Sequence, residues 1–142
     1  MKLSIAEKWV KALRSGKYKQ GKQSLKTKSE RGVVRHCCLG VLCELYNKEH
    51  KRKLKIKIAT KWEDQIEGKP HTKVFTIGGN STCLPHTVTS WAGMDCDTGQ
   101  IIRGDGFSIN GRHNYFNLAE INDEGATFKQ IAEFIEERYE DL

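Results

Sequence analysis

The sequence predicts an α+β fold, a single compact domain with several helices packed on a small antiparallel sheet. Three observations carry that prediction. Apolar stripes of helical period lie near both ends, isoleucine and lysine alternate in the middle, and turn signals punctuate the third quarter. A chain of 142 residues suits one domain, taken as 1–142, and is long enough to bury a core without disulfides or metal.

At the start, Ser4-Ile5-Ala6-Glu7 reads as a capping box, in which Ser4 and Glu7 exchange backbone hydrogen bonds. Ile5, Trp9 and Leu13 follow at helical spacing and Gly16 is a stop, predicting a helix over 5–15. Residues 17–35 are basic and irregular, and read as loop with a short strand near Val33-Val34. From His36 to Tyr46 the chain is almost continuously apolar, which predicts a central helix with Cys38, Leu42, Leu45 and Tyr46 on one face.

Leu54, Ile56 and Ile58 alternate with Lys53, Lys55 and Lys57, predicting a half-exposed strand with its apolar side inward and lysines outward. His71 to Ile77 reads as another strand, ended by Gly78-Gly79-Asn80. Leu84-Pro85 opens a short helix through Trp91 that Gly93 closes. Thr98-Gly99, Asp105-Gly106 and Asn110-Gly111 are turns, with short strands at Ile101-Ile102 and Phe107-Ser108-Ile109 between them. Asn117 caps a brief helix broken by Gly125. Thr127-Phe128-Lys129-Gln130 is a second capping box, opening a last helix with Ile131, Ala132, Ile135 and Tyr139 on its stripe.

No stretch has the roughly 20 apolar residues of a membrane span, and the N-terminus has no apolar core of a signal peptide. No membrane partner is therefore expected. Five cysteines, an odd number, argue against a disulfide framework and for reduced thiols packed in the core.

Charge is lopsided. Residues 1–73 hold 20 Lys and Arg against 7 Asp and Glu, and residues 74–142 hold 4 against 11. A +13 half beside a −7 half calls for a counterpart: the acidic C-terminal helix, an anionic ligand, or plain solvation.

Several strings recur together in one known setting. They are Glu7-Lys8-Trp9, residues 12–21, Cys37-Cys38-Leu39-Gly40-Val41-Leu42-Cys43-Glu44-Leu45-Tyr46, Leu84-Pro85 with Trp91-Ala92-Gly93, and Leu118-Ala119-Glu120-Ile121-Asn122-Asp123-Glu124-Gly125 with Thr127-Phe128. In this order they resemble a family of small hypothetical proteins of tailed bacteriophages and prophages. The likeness spans most of the chain, least at 48–73 and 95–115. It implies a phage origin and action in the cytoplasm of an infected bacterium. It carries over no catalytic residue. By analogy with other small accessory phage proteins, a role against host defence follows.

Of the chemical candidates, His36, Cys37, Cys38 and Cys43 suggest zinc, but adjacent cysteines on a helix diverge by about 100° and poorly share one metal. The pairs His71-Thr72 and His86-Thr87 lack the His-x-Thr spacing of two-histidine phosphoesterases. Cys43 lies in an apolar helix, where burial opposes a nucleophilic thiolate. No catalytic set, metal or cofactor is implied.

Anion binding ranks highest. Gly79, Asn80, Ser81 and Thr82, between a strand and a helix start, are placed to cradle phosphate. Arg103, Arg112, His113 and Tyr115 add cations and aromatics in turn-rich segments. The expected function is therefore a phage accessory protein that binds and sequesters an anionic nucleotide-type ligand without catalysis. The alternatives are a nucleic-acid-binding module using Lys19, Lys22, Lys26, Lys51, Arg52, Lys53, Lys55 and Lys57, or an inhibitor of a host protein. Oligomeric state is open, with a ligand site between two copies as one arrangement.

Overall fold

The computed structural model describes residues 1–59, 72–101, 106–109 and 112–142, with the backbone alone for 107–109 and 112–114. Helix α1 spans Leu3–Arg14 and buries Ile5, Trp9 and Leu13, the stripe that its sequence spaces at i, i+4 and i+8. Trp9 is fully buried, and its indole donates to the Cys38 carbonyl at 3.0 Å, so the one polar atom of the ring is satisfied.

The expected Ser4–Glu7 capping box is absent. Lys2 is the N-cap, without a side-chain cap bond, and Ser4 lies inside the first turn. The helix starts early because the terminus is pinned elsewhere. The Met1 ammonium donates to the Leu142 carbonyl at 2.8 Å, and the Lys2 amide to the Ala92 carbonyl at 2.8 Å.

A four-stranded antiparallel sheet follows from β1 (Lys26–Ser29), β2 (Val34–His36), β3 (Ile56–Ala59) and β4 (Thr72–Ile77), in the order β2-β1-β4-β3. Strand β1 lies in a segment expected to be loop. Its sequence, Lys-Thr-Lys-Ser, has no apolar periodicity, and it is a strand because it pairs on both sides, Lys26 opposite His36 and also opposite Phe75.

Helix α2 (Cys38–Glu49) is the central helix expected from its composition, with Leu39, Val41, Leu42 and Cys43 fully buried. It starts at Cys38, two residues later than His36, because Val34–His36 belongs to the sheet and Cys37 is the N-cap. Helices α1, α3 (His86–Ala92) and α4 (Leu118–Asp123) pack around it, and α5 (Phe128–Arg138) lies along α1. A short hairpin, β5 (Phe107–Ile109) with β6 (Arg112–Tyr115), precedes α4, and a 3-10 turn, Tyr139–Asp141, ends the chain.

Two caps match their sequence. Asn117 Oδ1 accepts from the Glu120 amide at 2.8 Å, and Thr127 and Gln130 form the complete capping box of α5. The inward orientation expected of Ile56 and Ile58 does not hold: they are 41% and 60% exposed. Among the described residues β3 is the terminal strand of the sheet, whereas α2 packs against β2 at the opposite edge, which leaves Ile56 and Ile58 away from that helix. No helix among the described residues is long and apolar enough to cross a membrane.

Candidate functional site

A concave basic surface lies where α1 leads into the sheet. Ser15 ends α1, its hydroxyl donating to the Ala12 carbonyl at 2.6 Å and accepting from the Lys17 amide at 3.2 Å. Gly16, at φ +69, turns the chain. The next residues run beside β2 as a strap. The His36 amide donates to the Lys19 carbonyl at 2.9 Å, and the Gly21 amide to the His36 carbonyl at 2.8 Å. Gln20 anchors the strap from below, donating to Asn122 Oδ1 and the Ala126 carbonyl and accepting from the Phe128 amide.

With the strap fixed, Lys17 and Lys19 face Lys26 of β1, Arg31 of the β1–β2 turn and Lys48 of α2 around a groove of about 670 Å³. The turn that carries Arg31 is tight. The Gly32 amide donates to the Ser29 carbonyl at 2.9 Å, and the Ser29 amide to the Val33 carbonyl at 3.0 Å. Tyr18 forms a wall, its ring edge-on to His36 with centroids 5.5 Å apart. The Lys48 ammonium donates to the Tyr18 hydroxyl at 2.6 Å and lies 5.1 Å from the ring centroid.

Among the described residues the groove contains one carboxylate, Glu44, and it is paired. Oε1 accepts from Lys26 Nζ at 2.7 Å and pairs with His36 Nε2 at 3.1 Å. These two bonds, the His36 contact first, hold the Glu44 carboxyl down at about 2 against the opposing effect of burial. The groove is thus strongly cationic despite its acid.

The expected phosphate cradle is arranged differently. Gly79 and Asn80 lie in a tight turn in which the Ile77 amide donates to the Asn80 carbonyl at 2.7 Å, and the Ser81 carbonyl accepts from the Leu25 amide at 2.7 Å. Thr82 is exposed. Residues 81–85 lead from this turn to α3, whose N-cap is Pro85, and the turn packs on that helix start: a Cβ on Gly78 would lie 2.9 Å from the Pro85 ring, and Asn80 Nδ2 donates to the Leu84 carbonyl at 3.5 Å. Tyr115 ends β6, half-buried against the core. Arg103, and the side chains of Arg112 and His113, lie outside the described residues.

The expected nucleic-acid set splits. Lys19 and Lys26 line the groove. Lys22 points toward Gly125 instead, where a Cβ would meet its ammonium at 3.6 Å. Lys51, Arg52, Lys53, Lys55 and Lys57 are exposed just after α2 and along β3, at the opposite edge of the sheet from β2. Among the described residues, Lys26 of the groove and Lys57 thus lie in different strands, with Lys57 at the sheet edge away from β2. Glu136 of the acidic last helix lines a neighbouring cavity with Lys11 and with Lys17 of the groove. It takes a two-pronged pair from Arg14 of α1, at 2.8 and 3.3 Å.

Tyr18, His36, Glu44, Lys17, Arg31 and Lys48 had no sequence signal as a group, because an antiparallel register, Lys26 opposite His36, assembles them. Cys37, Cys38 and Cys43 are buried, and burial raises all three thiols, Cys37 to about 11. Among the described residues no three His, Cys, Asp or Glu are grouped to hold a metal ion. His86, first residue of α3, is exposed, with Ser90 Oγ 3.5 Å from its Nε2, while His71 lies outside the described residues.

Compared with known proteins, residues 1–139 match the family model described as a domain of unknown function, DUF8296. No curated protein and no solved structure matches the chain.

Proposed function

The chain belongs to the DUF8296 family, and we propose that it binds an anionic, nucleotide-type ligand in the groove walled by Tyr18. One observation carries the reading: five cations from the strap, β1, the β1–β2 turn and α2 converge on a single groove of about 670 Å³ in which the one carboxylate among the described residues is already paired. Clustered like charges repel, and a bound phosphate relieves that repulsion. The size lies within the roughly 300–1,000 Å³ of ligand sites, and the Tyr18 ring offers an apolar surface beside the cations.

Binding without turnover is the simpler chemistry. Glu44 is held by Lys26 and His36, and the thiols of α2 sit in the core instead of the groove. The setting rests on the resemblance to tailed-phage proteins alone: a sponge acting in the infected bacterial cytoplasm, withdrawing a nucleotide signal from host defence. The 79–82 turn with Arg103, Arg112, His113 and Tyr115 is a second place for a phosphate, supported only by its residue types.

Calorimetry against cyclic dinucleotides, ADP-ribose and nucleoside monophosphates at low salt tests the reading. Binding heat whose affinity falls about tenfold in Lys19→Glu supports it. No heat from any of these ligands defeats it.

A further inference from the structure

Tyr18 walls two grooves. A second cavity, of about 340 Å³, lies between α1 and α2 and shares Lys17, Tyr18 and Lys48 with the first. Its apolar surface comes from Ala12 and Leu45, and its own cations are Lys8 and Lys11, which lie one helical turn apart on α1. Its one carboxylate among the described residues, Glu49, is paired with Lys8 at 2.6 Å, just as Glu44 is paired in the first groove. Among the described residues, Lys11, Lys17, Lys19 and Arg31 make no ion pair with any carboxylate.

The two grooves together thus form a cationic track that crosses an aromatic ring and continues over an apolar floor. A lone nucleotide uses the cations of one groove only. A chain with a phosphate at every nucleotide uses those of both, while its bases lie on apolar surface. That pairing of cations with aromatic and apolar contact is how single strands are held without sequence readout. A duplex keeps its bases stacked inside and leaves such a floor unused. Resting on the reading of the first groove as a phosphate site, we infer that the natural ligand is single-stranded nucleic acid, several nucleotides long, running from Arg31 past Tyr18 to Lys11.

The test compares thymidine monophosphate, by calorimetry, with fluorescein-labelled oligothymidylates from dimer to octamer, by anisotropy. The variants are Lys11→Glu, Lys11→Ala and, as a charge-matched control at the far sheet edge, Lys57→Glu. Affinity is expected to rise at least about tenfold from monophosphate to octamer, with a salt slope steeper by about 0.7 for each added phosphate contact. Both Lys11 variants should remove most of that rise and leave monophosphate binding unchanged, whereas Lys57→Glu should alter neither. An octamer that binds no tighter than the monophosphate overturns the inference while leaving the single-groove reading intact. So does equal weakening of the octamer by Lys11→Glu and Lys57→Glu. Absence of binding by monophosphate and oligomers alike overturns both.

Discussion

Gln20 and Asn122 meet through a hydrogen bond of 3.1 Å, Nε2 to Oδ1, across 102 positions of sequence. Asn122 is fully buried, and its amide also accepts from the Cys38 backbone at 3.2 Å and donates to the Gly21 carbonyl at 2.9 Å. One side chain thus ties the start of α2 and the groove strap to α4. Asn122→Ala leaves these buried partners unmatched, and the expected loss is about 3 kcal/mol in urea unfolding. Because the strap carries Tyr18 and Lys19, nucleotide affinity should fall as well, although Asn122 does not line the groove. Unchanged stability would mean that water replaces the amide at little cost.

Gly40 and Gly79 should differ greatly in how much alanine costs them. A Cβ on Gly40 would lie 1.8 Å from the Leu25 carbonyl oxygen, a backbone atom that α2 closely overlies. Gly40→Ala must therefore push the helix off the segment leading into β1, and the soluble folded protein should be lost. Gly79 has nothing within 4 Å of such a Cβ, and only its φ of +96 resists substitution. Gly79→Ala should cost about 1 kcal/mol, read as a small drop in thermal midpoint.

These contrasts show what the amino-acid order alone could reveal. Local signals worked where the cause is local, as at the Thr127 box, the Asn117 cap and the apolar run of α2. They failed where a distant partner decides. Ser4 and Glu7 have the residues of a capping box, yet the chain entering α1 is placed by distant partners, Met1 by Leu142 and Lys2 by Ala92. Strand β1 is polar and becomes a strand only through β2 and β4. Ile56 and Ile58 alternate correctly for a buried face, but no periodicity reveals which strand lies away from α2. The groove was half visible, with Lys19 and Lys26 in a noticed basic run, whereas Tyr18, His36 and Glu44 come together only through sheet register.

Acid should weaken the fold through Glu44. Its carboxyl ordinarily titrates near 4.5, and the His36 and Lys26 contacts hold it at about 2 in the folded chain. Above the unfolded value, both states are ionised and the full stabilisation is present. As pH falls from there toward the folded value, the unfolded chain takes up a proton that the folded one refuses, and the contribution is lost. Glu44→Gln should cost on the order of 2–3 kcal/mol at neutral pH and flatten the decline of stability below pH about 5. Parallel acid limbs for the two proteins would show that other carboxylates govern this range.

Thiol reactivity should divide the five free cysteines two to three. Cys83 and Cys96 are partly exposed, whereas Cys37, Cys38 and Cys43 are buried and disfavoured as thiolates. An aromatic disulfide reagent should titrate two thiols rapidly in the native protein and the remaining three only with global unfolding. Early reaction of a third thiol would place α2 in a locally opening segment instead of the stable core.

The groove cations face the bland alternative that lysines at a surface are merely solvated, and charge reversal separates the two. Arg31 sits at the tip of a tight turn and Lys19 on a strap whose backbone carbonyl, not its side chain, holds the His36 amide. Reversing either charge therefore leaves the hydrogen bonds that build the groove in place. Thermal midpoints of Lys19→Glu and Arg31→Glu should stay within about 2 °C of the parent, since exposed substitutions usually change stability by under about 0.5 kcal/mol. Nucleotide affinity should fall about tenfold for each, with a shallower dependence on salt because a phosphate contact is gone. Lys51→Glu, making the same charge change just after α2, should leave affinity unchanged. If all three weaken binding alike, the protein acts through its net charge of +6 and not through the geometry around Tyr18.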